Sequence, residues 1–300
     1  MKVHISAAVA AVASLAAAAF LVPVPDAPEP AGRLGVIGSI ETVSVAGGRF
    51  EYQIAGEFLK SGRVIEAPKA EKQIRRPLEI MKYQVSVAEY AACVADGACQ
   101  PADTRAAGGT PVDTPVTGVS WRDAGAYAAW LSERTGAVWR LPSDEEWSFA
   151  AAERFGPEAN GVIADDDGTN PAARWLAAYR YRADPKERDM APKPRGHYGV
   201  NSNGLADLSG NVWEWTDTCF VRNRIDAAGR LAESTTNCGV RAIGGQHRGY
   251  MSNFLRDGKS GGCAAGMAPP DNLGFRLVRE PAPALGVALL RRIVGPEGRG

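Results

Sequence analysis

The 300-residue chain reads as an α+β fold rich in loops, on three observations. A strand-like run, ETVSVAGGRFEYQI (41–54), opens the folded part. Three segments begin on a serine with an acidic residue three positions later, which marks the start of a helix. After Arg154 the regular patterning fades: residues 155–203 carry Asp165, Asp166 and Asp167, then Asn170-Pro171 and several more prolines. So long a stretch without readable elements is uncommon in a compact domain.

The elements follow in order. Lys2 precedes an apolar, alanine-rich run from Ile5 to Val22, and a proline-rich stretch comes next. This is the layout of an export signal: a basic start, an apolar core, then a break. Ala17-Ala18-Ala19 satisfies a small-residue cleavage rule, but Phe20-Leu21-Val22 prolongs the run toward anchor length. Residues 1–22 are therefore expected to be a signal peptide or a membrane anchor, and residues 23–42 a linker. The body is expected to be periplasmic or extracellular.

The helices start at Ser86 (acid Glu89), Ser120 (Asp123) and Ser143 (Glu146), with the serine side chain accepting from the backbone N–H of the acid. In the second, Ala124, Tyr127, Ala128 and Leu131 share one face, and Gly136 sits where a left-handed C-cap belongs. Trp147, Ala150 and Ala151 mark the inner side of the third. Gly244-Gly245 and Gly261-Gly262 read as turn glycines. The tail, 281–300, contains LGVALLRRIVG, a short amphipathic addition.

Thirty-four basic and 34 acidic residues give a formal net charge of zero, which argues against nucleic acid or an anionic membrane as partner. Membrane contact is expected only through the N-terminal segment. Export also favours disulfides. Cys93 and Cys99 flank a short loop and Cys219 and Cys238 a polar one, which predicts two bridges and leaves Cys263 over. That last thiol is either buried and inert or reactive.

Five motifs carry a resemblance: PVTGVSWRDAGAYAAWLSERTG (115–136), WRLPSDEEWSFAAA (139–152), GLADLSGNVWEWTDTC (204–219), RAIGG (241–245) and NLGFRLVRE (272–280). In this order they resemble the formylglycine-generating enzyme (sulfatase-modifying factor) family, over residues 43–280. Gly47, Gly48 and Phe50 match the family's opening turn. The resemblance implies the formylglycine-generating-enzyme fold, C-type-lectin-like and low in regular secondary structure, which accounts for the irregular middle of the chain.

It also implies chemistry that this chain departs from. Family enzymes oxidise a substrate cysteine to formylglycine with O₂, using Cu(I) held by two cysteines five positions apart. Soft thiolates select Cu(I), and the matching positions here are Gly249 and Phe254. Copper is not expected. Asn211 and Glu214, with the carbonyls of Gly210 and Val212, match a calcium site of the family and offer the hard oxygens that calcium takes. In the alternative, Asn211 closes a turn and Glu214 pairs with an arginine. The family's other calcium site is expected to be lost, since its counterpart here is Ala173-Arg174-Trp175.

What remains near the vanished cysteines is polar. The catalytic candidates are His247, Arg248, Tyr250, Ser252 and Cys263; the ligand-binding candidates are Gln246, Asn253, Arg256 and Trp215. Arg248 and Arg256 suit a carboxylate or phosphate on a ligand. His247 offers a general base or one metal ligand. Trp215 is placed near the substrate groove by the resemblance, although the tryptophans of GNVWEWTD read first as core. Three readings follow: a monomeric maturation or accessory factor in the periplasm that binds a protein, peptide or small molecule; an oxidoreductase built around His247 with a different metal; or a lectin-like binding module. Fold alone does not choose among them.

Overall fold

The computed structural model describes residues 40–103, 111–155, 191–245, 247–256 and 273–281. The segment 1–22, almost all of the linker, Ala173-Arg174-Trp175, Gln246, Gly261-Gly262, Cys263 and the tail from 282 onward lie outside the described residues.

Strands β1 (Thr42–Val45), β2 (Gly48–Gln53), β3 (Glu57–Lys60), β4 (Arg63–Ile65), β5 (Lys69–Ile74) and β6 (Leu78–Met81) come first. Helices α1 (Val87–Ala95) and α2 (Trp121–Thr135), the short strand β7 (Trp139–Arg140) and helix α3 (Asp144–Ala151) follow. The chain closes through β8 (Trp213–Ile225), β9 (Leu231–Gly244), β10 (Gly249–Ser252), β11 (Leu273–Gly274) and β12 (Val278–Arg279). The expected run 41–54 is two strands. β1 joins the sheet β1-β6-β12-β7, whereas β2 pairs separately with β5. In the larger sheet, ordered β10-β9-β8-β3-β4, the long β8–β9 hairpin is central and β11 adds in parallel to the start of β8.

All three helices begin as the serine–acid spacing predicts. Ser86, Ser120 and Ser143 accept from the backbone N–H of Glu89, Asp123 and Glu146 at 3.1–3.2 Å. Each acid in turn accepts from the backbone N–H of its serine at 2.8 Å. Two donors that a helix start would leave orphaned are satisfied at each end. Gly136 ends α2 at φ 68°. Ala124, Tyr127, Ala128 and Leu131 are buried, as are Trp147, Ala150 and Ala151 of α3. Both expected disulfides are present, Cys93–Cys99 and Cys219–Cys238.

Gly244 is not a turn glycine: it ends β9, and a Cβ there would lie 2.5 Å from the Trp147 indole. Gly245 stands in the bend that follows, where a Cβ would lie 2.6 Å from the Trp213 indole. The pair exists so that backbone can pass directly over two tryptophan rings.

The centre of the molecule is ionic. Glu214 on β8 and Arg276, between β11 and β12, are both fully buried. Arg276 Nε and Nη2 donate to the two Glu214 oxygens at 2.7 and 2.8 Å. Its remaining hydrogens go to the carbonyls of Met81, Lys82 and Ala206 at 2.8–3.2 Å. Trp147 Nε1 and Gln84 Nε2 each donate to Glu214 at 2.8 Å. All five guanidinium donors are therefore answered, the condition under which a buried pair is tolerable. Arg276→Met is expected to cost about 3–5 kcal/mol, since it leaves a buried carboxylate unpaired. Adding Glu214→Leu should recover part of that loss in urea unfolding; a double variant worse than the single would contradict this account.

Candidate functional site

The residues that flank the two former cysteine positions lie on β10 and the turn after it. Gly249 opens β10 opposite Ile243 of β9. A Cβ at Gly249 would meet the Ile243 side chain at 3.1–3.2 Å, so the position has little room for a larger residue. Phe254 is 63% exposed in the turn.

Arg248, just before β10, turns its guanidinium inward. It donates from Nε to both Asp144 oxygens at 2.8–2.9 Å, and its Nη2 lies 2.6 Å from Asp144 Oδ2. Asp144, the first residue of α3, is fully buried and also accepts from the Tyr52 hydroxyl at 2.6 Å. The guanidinium carbon sits 5.1 Å from the Tyr52 ring centre and 5.7 Å from that of Phe155. Burial, then the charge of Asp144, push the Tyr52 phenol far above the ordinary tyrosine value. Tyr250 is shifted the same way by burial; its hydroxyl accepts from the backbone N–H of Gly56, and its ring meets Phe220 edge-on at 5.0 Å. Neither phenol is a base at neutral pH.

Arg256 is likewise taken up. Nε and Nη2 donate to the two oxygens of Asp123 at 2.8 and 2.7 Å, and Nη1 donates to the Pro101 carbonyl at 3.0 Å. The bond to Asp123 holds its pKa above the usual arginine value. The expectation that Arg248 and Arg256 meet an anionic ligand is therefore corrected. First-turn aspartates of two helices, Asp144 of α3 and Asp123 of α2, already neutralise them. Tyr52 and Asp144 were absent from the sequence-derived set; Asp144 looked like an ordinary first-turn acid, and nothing local ties Tyr52 to it.

Trp215 is a second correction. It is fully buried and donates from Nε1 to the Val119 carbonyl at 2.8 Å, so it is core and not a ligand contact. Asn253 serves the fold too, donating from its backbone N–H to the Gly239 carbonyl and from its side chain to that of Cys238. Ser252 ends β10 opposite Val240. His247 packs edge-on against Trp213 with ring centres 4.7 Å apart. Among the described residues no group of three His, Cys, Asp or Glu side chains is placed to hold a metal ion.

The described residues at the matching positions suit neither copper nor calcium. Positions 249 and 254 carry no sulfur, and the four described cysteines are paired as disulfides, so no described residue offers copper a thiolate. The calcium expectation at Gly210, Asn211, Val212 and Glu214 also fails on its side chains. Glu214 is occupied by Arg276, whose fixed positive charge repels a cation at the same oxygens. Asn211 clips the backbone of Lys193, accepting its N–H and donating to its carbonyl, both at 2.9 Å. The turn before it is held by Asp207 and Ser209, both at φ 59°. Asp207 accepts from the N–H groups of Gly196 and Tyr198, and Ser209 donates to the Gly245 carbonyl at 2.9 Å. Calcium chelation is expected to leave the thermal midpoint unchanged, whereas Tyr52→Phe, which strips a bond from a buried carboxylate, should cost about 1.5–3 kcal/mol. A drop in midpoint on chelation would overturn the first expectation, and a neutral Tyr52→Phe the second.

The family profile described as "Sulfatase-modifying factor enzyme 1-like domain" matches residues 36–281. The formylglycine-generating enzyme of Mycobacterium tuberculosis is 38% identical over 116 residues, covering 37% of this chain and 36% of that protein. The inactive C-alpha-formylglycine-generating enzyme 2 of Mus musculus is 31% identical over 174 residues, 55% of this chain and 49% of that protein. The matched parts thus span between a third and a half of these two relatives. The solved structure of PvdO from Pseudomonas aeruginosa superposes with a TM-score of 0.49 at 23% identity, covering 80% of this chain and 94% of that one.

Proposed function

We propose that this chain, which belongs to the sulfatase-modifying factor family, is a non-oxidising member: an exported maturation or accessory factor that binds a peptide or protein partner. The carrying observation is the pair of positions 249 and 254. One is a glycine pressed against Ile243 and the other an exposed phenylalanine. Nothing there binds Cu(I). The kinship with a mammalian protein named inactive supports a role without the oxidase step. The N-terminal layout supports export, and both disulfides suit an oxidising compartment.

A binding role also agrees with the balance of charges around β10. Arg248 and Tyr52 both bond to Asp144, so the charges of this part of the wall are answered from within. A partner would meet a preformed surface, which lowers the ordering cost of association. His247 as the centre of a different oxidoreductase finds no metal-ligand set among the described residues.

The test is direct. The purified protein, with and without added copper, is incubated with a Cys-x-Pro-x-Arg peptide, and aldehyde is followed by mass spectrometry. No conversion is expected. Gly249→Cys with Phe254→Cys is expected to bind copper weakly at best, because a side chain at 249 must displace Ile243. Aldehyde formed by the unmodified protein would overturn the reading.

A further inference from the structure

We propose that the Cys219–Cys238 disulfide is a redox-sensitive clasp on the turn Ser252–Arg256. The ladder between β8 and β9 is the first observation. It runs Glu214↔Gly244 and Trp215↔Ile243, shifts to Cys219↔Arg241, and shifts again to Phe220↔Asn237. Between the last two pairs, Cys238, Gly239 and Val240 of β9 have no counterpart on β8. That is a bulge, and a bulge has given up the ladder hydrogen bonds that would otherwise hold it. The disulfide joins Cys219 to this bulge across a Cα–Cα distance of 4.5 Å.

The far side of the bulge carries β10 and its turn. Val240 pairs with Ser252, the Gly239 carbonyl accepts from Asn253 N–H at 2.9 Å, and the Cys238 carbonyl accepts from Asn253 Nδ2 at 3.2 Å. Two of the turn's anchors are thus carbonyls of the clasped segment. The turn presents Phe254 to solvent, and at its end Arg256 is pinned to Asp123. An exposed aromatic on an anchored turn is a surface whose order the clasp controls.

Accessibility separates the two bridges. Cys93 and Cys99 are buried in the core, 0% and 5% exposed. Cys238 is exposed and Cys219 partly so. Exchange requires a thiolate to reach a disulfide sulfur. A thiolate of a dithiol reductant able to close a ring disulfide attacks Cys238 Sγ, and Cys219 leaves as thiolate. The second thiol of the reductant then displaces Cys238 and closes the reductant's own disulfide. Two electrons and two protons pass to the pair, giving two thiols. Released, the bulge frees the carbonyls on which Asn253 hangs. The clasp acts on the turn whether or not the turn binds a partner.

The test titrates the intact protein with dithiothreitol, alkylates the thiols formed and assigns them by mass spectrometry. Hydrogen exchange is measured on the same samples. Cys219–Cys238 is expected to open at about tenfold lower dithiol than Cys93–Cys99. In the species with only that bond open, amides of residues 249–256 should exchange faster, while those of β1 and β6 keep their protection. Opening of Cys93–Cys99 first or together with it, unchanged exchange in 249–256, or loss of protection throughout the domain would each overturn the proposal. A Cys219→Ser, Cys238→Ser variant that folds should show the fast-exchanging turn without any reductant.

Discussion

The Glu214–Arg276 pair is the contact on which the rest of the domain hangs. It gathers the start of β8, the segment between β11 and β12, the end of β6, and α3 through Trp147. Removing two charges from water costs more than their attraction returns unless every remaining lone pair and hydrogen finds a partner. Here they do. The consequence reaches register: among the described residues β11 meets β8 through Leu273↔Trp213 and Gly274↔Glu214. Two such pairs hold an alignment weakly by themselves. A slip of one residue would draw Arg276 away from Glu214 and bury two unpaired charges, so the ion pair sets the alignment that two backbone pairs could not.

The same economy of charge shapes the candidate site. A first-turn acid at a helix start is ordinarily stabilised by the helix dipole and by backbone N–H groups. Asp123 and Asp144 go further, each reaching across the fold to an arginine from the segment around β10. The helix starts thereby fix the strand and turn that hold positions 249 and 254. In such an arrangement the arginines anchor the wall.

How much of this was legible in the sequence depended on distance along the chain. The serine–acid boxes span three residues, and all three helices begin as read. The cysteine pairs, 6 and 19 residues apart, were paired correctly from export and loop length. The partners that govern the site are far apart: 104 residues from Arg248 to Asp144, 92 from Tyr52 to Asp144, 133 from Arg256 to Asp123. No local pattern reports such pairs. The β8–β9 hairpin was missed for another reason. Its outer half on β9 is exposed on both faces, so Leu231–Gly239 lacks the alternation that marks a half-buried strand. For Glu214, an arginine partner was one of the two readings open beside each other, and in the fold Arg276 is that partner.

What these residues can do chemically follows from where their protons are held. Oxidation or hydrolysis at this face needs a group that accepts or donates a proton near neutral pH, or a metal that takes its place. Tyr52 is held as a neutral phenol by burial and by the Asp144 charge, and Tyr250 by burial. Arg248, although burial works against its charge, is kept firmly protonated by the bond to Asp144. Each of these three groups keeps one protonation state near neutral pH and is bonded to a neighbour inside the protein. Their charge stays the same as pH varies, so a proton moved at this face does not pass through Tyr52, Tyr250 or Arg248.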